Sequence, residues 1–277
     1  MAFKTWSKTP VEKRREAIIA FADAVASYRE EFARLLTTEQ GKPLEQSYQE
    51  VDLAVMWLKA LPDLKLPEDI IEDTEDRQII NRYTPLGVAC GIVPWNYPVL
   101  LACGKIAPAL YTGNAIILKP SPYTPYCDLK LGELGQQFFP SGVFQVLSGG
   151  DDLGPMLTSH PGIDKVSFTG SSVTGKKVME SCSKTLKRVT LELGGNDPAI
   201  ICEDVDIEKV IPKVKSPQRS ALTVANRSRV PDHTTLLPMF QPNLHDDQTS
   251  LRPRIHLPSI PRRNGQARED PKSRARI

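Results

Sequence analysis

The sequence predicts an α/β protein: a parallel sheet with helices on both faces, followed by a tail expected to be disordered. Three observations carry that expectation. Between Val88 and Leu193 an apolar strand, a polar loop and a helix recur four times, the order that builds a helix-covered parallel sheet. The crossovers are too long for hairpins, so the strands should run parallel. After Val214 the composition changes abruptly.

The elements follow in order. Val11 to Leu36 places Ile18, Phe21, Ala22, Val25, Phe32, Leu35 and Leu36 at helical spacing, with Thr9-Pro10 as a modest start. Gly41-Lys42-Pro43 stops that helix. A second runs from Leu44 to Leu61, and neither carries a catalytic pattern. Pro62 to Asp76 reads as a charged connection, and Arg77 to Tyr83 as an extended strand at an edge or in a hairpin. Val88 to Val93 is a buried strand stopping at Pro94-Trp95-Asn96, and 99–110 a short apolar helix. Ala115 to Leu118 is a strand stopping at Lys119-Pro120-Ser121, and 126–139 a helix. Val143 to Leu147 is a strand ending in Ser148-Gly149-Gly150, followed by a short helix from Leu153 to Thr158. Lys165 to Phe168 is a strand ending in Thr169-Gly170-Ser171, and Val173 to Ser183 a helix. Arg188 to Leu193 runs into Gly194-Gly195, and Pro198 to Cys202 is a last short strand.

Composition bounds the function. The chain has 277 residues and a formal charge of +2. Its first 214 residues hold 23 Lys+Arg and 28 Asp+Glu, a net of −5, while the last 63 hold 12 and 5, a net of +7. The positive excess therefore lies in the tail, which disfavours a uniformly basic nucleic-acid binder. No apolar run is long enough to span a membrane, and the N-terminus lacks the apolar core of a secretory signal. Five cysteines over this length do not make a small disulfide framework. A reduced, cytoplasmic setting is expected. Residues 215–277 contain eight prolines, one glycine, one aromatic residue and ten arginines against two lysines. Such a segment cannot assemble much core. Its abrupt onset also fits translation out of frame or through an intron. The expected division is 1–214 as the fold-bearing region and 215–277 as the basic tail.

Polar and glycine-rich groups collect at the ends of the apolar strands, where open parallel sheets bind ligands. Pro94-Trp95-Asn96 is either a turn with an anchoring tryptophan or a carboxamide aimed at negative charge developing on a carbonyl oxygen. Lys119 is either solvated surface or a contact for an anionic or polyhydroxyl ligand. Gly149, Gly150 and Gly154 resemble a nucleotide-binding loop without the usual glycine spacing. Thr169-Gly170-Ser171, with Gly175 beyond, leads tightly into a helix start, where free N–H groups can meet an anion. Glu192, at a strand end beside two glycines, suits a general base; a salt-bridged or solvated carboxylate is the other reading. His160, before Pro161-Gly162, reads as a surface turn, and no cluster has metal-ligand spacing. Cys90 and Cys103 read as core.

Together, Pro94-Trp95-Asn96, Lys119-Pro120-Ser121, Phe168-Thr169-Gly170-Ser171 and Glu192-Leu193-Gly194-Gly195 resemble, in order and spacing, the NAD(P)-dependent aldehyde dehydrogenase superfamily over about residues 1–214. The resemblance implies an incomplete version of that fold, with a Rossmann-type sheet, an NAD or NADP cofactor and a small aliphatic or aromatic aldehyde as substrate. Asn96 then matches an oxyanion-hole residue, and Glu192 the general base. Lys119 and Ser121 match the adenosine-ribose site, and Trp95, Gly150, Gly154, Gly170 and Ser171 the rest of the cofactor groove. Leu193 and Gly194 match residues beside the nicotinamide. Pro122 stands where NAD-preferring members often have glutamate, which leaves NAD against NADP open.

The family's thiol nucleophile belongs some 34 residues past the glutamate, near Asn226, yet no cysteine follows Cys202. Cys202 lies on a different strand and is not a substitute. The resemblance thus implies an incomplete enzyme, inactive as written, with family-type oligomerisation lost and apolar faces left uncovered. The alternative is a non-catalytic NAD(P)-binding or regulatory protein.

Overall fold

A computed structural model describes residues 2–195, 198–201, 206, 208, 209 and 221–224. All of them fall in the first of two units, Met1–Met239. The expected disorder of the tail, the position matching the nucleophile and Cys202 lie outside the described residues.

The chain opens with helices. A short α1 (Ala2–Trp6) precedes α2 (Val11–Ser27), α3 (Arg29–Gln40) and α4 (Leu44–Ala60). The single helix expected over Val11–Leu36 is thus two, broken at Tyr28. Its buried stripe of Ile18, Phe21, Ala22, Val25, Phe32, Ala33 and Leu36 crosses the break in phase, so periodicity conceals the joint. Gly41 closes α3 in the left-handed region at φ 89°, a conformation cheap only for glycine.

The expected charged connection contains a strand. β1 (Glu68–Asp73) pairs antiparallel with β2 (Gln78–Arg82) in a separate hairpin. Its residues are mostly solvent-exposed, so it shows no apolar alternation. Polar side chains join instead: Arg82 reaches Glu68 at 3.0 Å, Arg77 reaches Glu72 at 2.7 Å, and the Tyr83 hydroxyl donates to Asp69 at 2.9 Å.

The main sheet has five parallel strands in the order β5-β4-β3-β6-β7: β3 (Val88–Ile92), β4 (Ala115–Lys119), β5 (Phe144–Val146), β6 (Lys165–Gly170) and β7 (Arg188–Leu193). The crossovers carry α5 (Pro98–Tyr111), α6 (Tyr126–Gly135), α7 (Leu153–Ser159) and α8 (Ser172–Ser183). Alternation along the strands splits the core in two. Ala89, Val93, Ile116, Leu118 and Phe144 face α2, α4, α5 and α6. Cys90, Ile92, Val166 and Phe168 face the opposite way, toward Leu157 of α7 and Val178 and Cys182 of α8. The helix expected over 126–139 ends at Gly135. The backbone N–H groups of Phe138 and Phe139 then both donate to the Gly135 carbonyl, and Phe139 turns into an aromatic cluster with Trp6, Phe21 and Phe144.

A third pair, β8 (Pro198–Ile201) and β9 (Ala221–Val224), runs parallel. β8 is the expected short strand. β9 falls inside the tail, where no regular element was expected; only Thr223 and Val224 of its four residues favour strands, and four are too few to show a period.

This strand order positions the site. The chain leaves central β3 toward β4 and β5, then crosses back to add β6 and β7 on the other side. Between β3 and β6 the direction of winding reverses, the place where in open parallel sheets the loops leaving the carboxyl ends diverge into a ligand crevice.

Candidate functional site

In the sheet register Ile92 lies level with Lys119 and with Phe168, while Thr169 pairs with Glu192 and Gly170 with Leu193. Lys119, the 94–96 turn, Thr169 to Ser171 and Glu192 to Gly194 therefore line one edge of one sheet. Cross-strand pairing, rather than chain proximity, brings these candidates together.

Lys119 is buried, and its ammonium donates to its own neighbour's carbonyl, Pro120 O, at 3.1 Å. Burial lowers its pKa, opposed by Cys90 and Asp151. Ser121 is also buried, and its hydroxyl accepts from the Tyr123 N–H at 3.2 Å. Gly154, in the first turn of α7, faces the lysine: a Cβ there would lie 4.0 Å from Lys119 Cε. Gly150 is exposed in the preceding turn.

Ser171 caps α8. Its hydroxyl accepts from the Thr174 N–H at 3.2 Å, and the first turn carries no acidic residue. This helix start can receive an anion. α8 sits close on β7, since a Cβ on Gly175 would come 2.5 Å from Leu193 Cδ2. A Cβ on Gly170 would meet the Phe168 ring at 2.6 Å. Leu193 is 43% exposed, and among the described residues nothing lies within 4 Å of where a Cβ on Gly194 would sit.

Glu192 is exposed and accepts from the Thr169 hydroxyl at 3.0 Å. Thr169 Oγ1 in turn accepts from Lys105 Nζ at 2.9 Å, and that ammonium also donates to Ser167 Oγ at 3.1 Å. Burial lowers the Lys105 pKa, while Glu192 raises it. The carboxylate at the end of β7 is thus linked through one hydroxyl to a buried cation from α5. Sequence reading missed Lys105, although a lone lysine in an apolar helix was a usable signal.

Asn96 is exposed and Trp95 half-buried. The described hydrogen bond of Asn96 is through its backbone carbonyl, which accepts from Lys42 at 2.8 Å. Lys42 is paired with Glu50, and both are buried. Burial pushes the Glu50 carboxyl up, while Lys42 and the Val99 and Leu100 amides pull it down. Sequence reading missed both: Lys42 read as part of a helix stop, and Glu50 was not singled out on its helix. His160 is exposed in a turn, its Nδ1 accepting from the Gly162 N–H at 3.0 Å. Among the described residues no group of three or more His, Cys, Asp or Glu could hold a metal, and no helix is long and apolar enough to cross a membrane.

One buried ammonium, hydroxyls at Ser121 and Ser171, an acid-free helix start, two glycines and a half-buried indole fit a ligand that combines phosphates, ribose and aromatic rings. The aldehyde dehydrogenase family model matches residues 1–217. The chain belongs to the aldehyde dehydrogenase family. A putative aldehyde dehydrogenase of Gibberella fujikuroi is 49% identical to it over 213 residues, 77% of this chain and 46% of that protein. Betaine aldehyde dehydrogenase from Staphylococcus aureus in complex with NAD+ superposes with a TM-score of 0.75 at 35% identity, covering 78% of this chain and 44% of that one. An NADP dependent enzyme of E. coli gives a TM-score of 0.77 at 33% identity, covering 80% and 50%. The chain spans about half the length of the relatives it matches.

Proposed function

We propose that this chain binds NAD or NADP along the carboxyl edge of β4, β3, β6 and β7, in the arrangement its family uses to oxidise an aldehyde to a carboxylic acid. The observation that carries the reading is the convergence of Lys119, the Asn96 turn, the α8 start and Glu192 on the crevice where the strand order reverses. It is supported by similar proteins with bound NAD+ or NADP dependence.

Lys119 and Ser121 would hold the ribose hydroxyls near adenine, with Gly150 and Gly154 keeping that wall open. Ser171, Gly170 and the α8 start would hold the pyrophosphate. Trp95, Leu193 and Gly194 would line the nicotinamide end. When bound, the nicotinamide supplies a hydride acceptor. The Asn96 carboxamide would donate to the aldehyde oxygen as charge grows on it. Glu192 would take a proton from a thiol or a water, with the Thr169 hydroxyl holding its carboxylate in place at 3.0 Å.

The nucleophile is the missing part. No cysteine follows Cys202, so the chain as written has no thiol at the matching position near Asn226. We therefore read it as a nucleotide-binding chain without turnover of its own. Titration of NAD and NADP into the purified chain by calorimetry tests the first half, and saturable binding by at least one is expected. Aldehyde-dependent formation of NAD(P)H tests the second, and none is expected. Absence of binding by both nucleotides overturns the cofactor assignment, whereas sustained turnover overturns the argument from the missing thiol.

A further inference from the structure

The first turn of α5 has no capping side chain of its own. Its amides are satisfied from another helix. Glu50 of α4 accepts through Oε1 from the Val99 N–H at 3.0 Å and the Leu100 N–H at 3.2 Å. A carboxylate is well placed there, because helix N-termini favour negative charge. Its other oxygen, Oε2, is held by Lys42. The same ammonium donates to the Asn96 carbonyl at 2.8 Å and lies 4.0 Å from the centre of the Tyr97 ring. One ion pair thus grips Asn96, Tyr97, Val99 and Leu100 together.

The pair is anchored firmly. Lys42 lies between Gly41, which closes α3, and Pro43, which precedes α4. Glu50 stands in the buried stripe of α4 with Ser47, Val51, Ala54 and Leu58, and is 1% exposed. Apolar residues could fill such a position, and a buried ion pair is by itself weak evidence for stability. What apolar residues could not do is hold one carbonyl and two amides of a single turn. Meanwhile the Trp95 and Asn96 side chains stay half-buried and exposed, directed by a backbone that is tied down behind them.

We propose that Lys42 and Glu50 are positioning residues, fixing the backbone of the 94–97 turn so that the Trp95 ring and the Asn96 carboxamide are preorganised for a ligand at the sheet edge. The proposal rests on reading that edge as an NAD(P) groove. Its benefit is a turn ordered before binding rather than by it.

The test uses the full chain carrying Lys42→Met and Glu50→Gln together. Glutamine keeps an acceptor for the Val99 and Leu100 amides, and no unpaired charge is left buried. The Asn96 carbonyl loses its donor and the Tyr97 ring loses the cation beside it. Fluorotryptophan labelling reports Trp6, Trp57 and Trp95 separately by fluorine NMR, with Trp95→Phe assigning the third signal. In the double variant the Trp95 resonance should broaden or split while Trp6 and Trp57 hold theirs. Affinity for NAD or NADP should fall about tenfold, the loss of roughly one charge-assisted hydrogen bond. Unchanged Trp95 signal and affinity in a folded variant overturn the proposal. Collapse of all three resonances together also overturns it, marking the pair as a stability device. If the unaltered chain binds neither nucleotide, the groove reading fails separately, and the Trp95 signal still decides the positioning role.

Discussion

Asp128, on α6, is fully buried, and among the described residues neither carboxyl oxygen has a hydrogen-bond partner. Burial pushes its pKa well above the ordinary 3.8, and the nearby Glu39 and Glu50 carboxylates push the same way. The native chain therefore keeps a proton that the unfolded chain releases. Below the ordinary value both states are protonated, and the folded state pays nothing for ionisation. As pH rises from there toward the elevated native value, stability falls, by about 1.36 kcal/mol per pH unit for one proton. Above the native value the loss is complete. Asp128→Asn removes that titration at nearly constant shape. Urea unfolding of both chains at stepped pH, from about pH 4 upward, should show the variant gaining on the unaltered chain with that slope. Glu39 and Glu50 titrate in both chains and largely cancel in the difference. A difference independent of pH, or an unaltered chain that is the more stable at neutral pH, refutes the reasoning.

Other expectations concern the sheet edge and the fold beneath it. Lys119→Met should weaken NAD or NADP binding about tenfold without loss of folded protein, as read by calorimetry and thermal melts. Thr169→Val removes the hydroxyl between Lys105 and Glu192 and leaves a buried ammonium with less support. It should cost about 1–3 kcal/mol in urea unfolding. Gly87→Ala should cost about 1–3 kcal/mol or more, because Gly87 has φ 137° and a Cβ there would lie 1.9 Å from Asp164 Oδ2. Wild-type stability in that last assay would show that the turn before β3 relaxes freely.

The parallel sheet was legible because β3 and β4 are apolar on both faces and the strand ends are marked by glycine, proline and hydroxyl residues. Lys119, Asn96, Ser171 and Glu192 were visible for the same reason: each stops an apolar run or opens a helix. The β1–β2 hairpin was half-hidden, since its strands are mostly exposed and its cross-strand side-chain pairs include Arg82–Glu68 and Arg77–Glu72 rather than an apolar face. Lys42, Glu50 and Lys105 were passed over for a different reason. Their partners, Asn96, Leu100 and Thr169, are tens of residues away in sequence. Local spacing cannot encode a contact made by packing α4 against α5, or α5 against β6. Glu50 at a core position of α4 and Lys105 in an apolar helix were nevertheless breaks in pattern, and such breaks mark tertiary partners.

Hydrogen exchange of the purified chain, with and without saturating NAD or NADP, shows directly which segments a nucleotide covers. Added protection is expected at 93–97, 119–124, 149–154 and 170–175 together, with the β1–β2 hairpin unaffected. Protection confined to other segments, or none at nucleotide concentrations well above those of the titration, would contradict the assignment of the sheet's carboxyl edge as the nucleotide site.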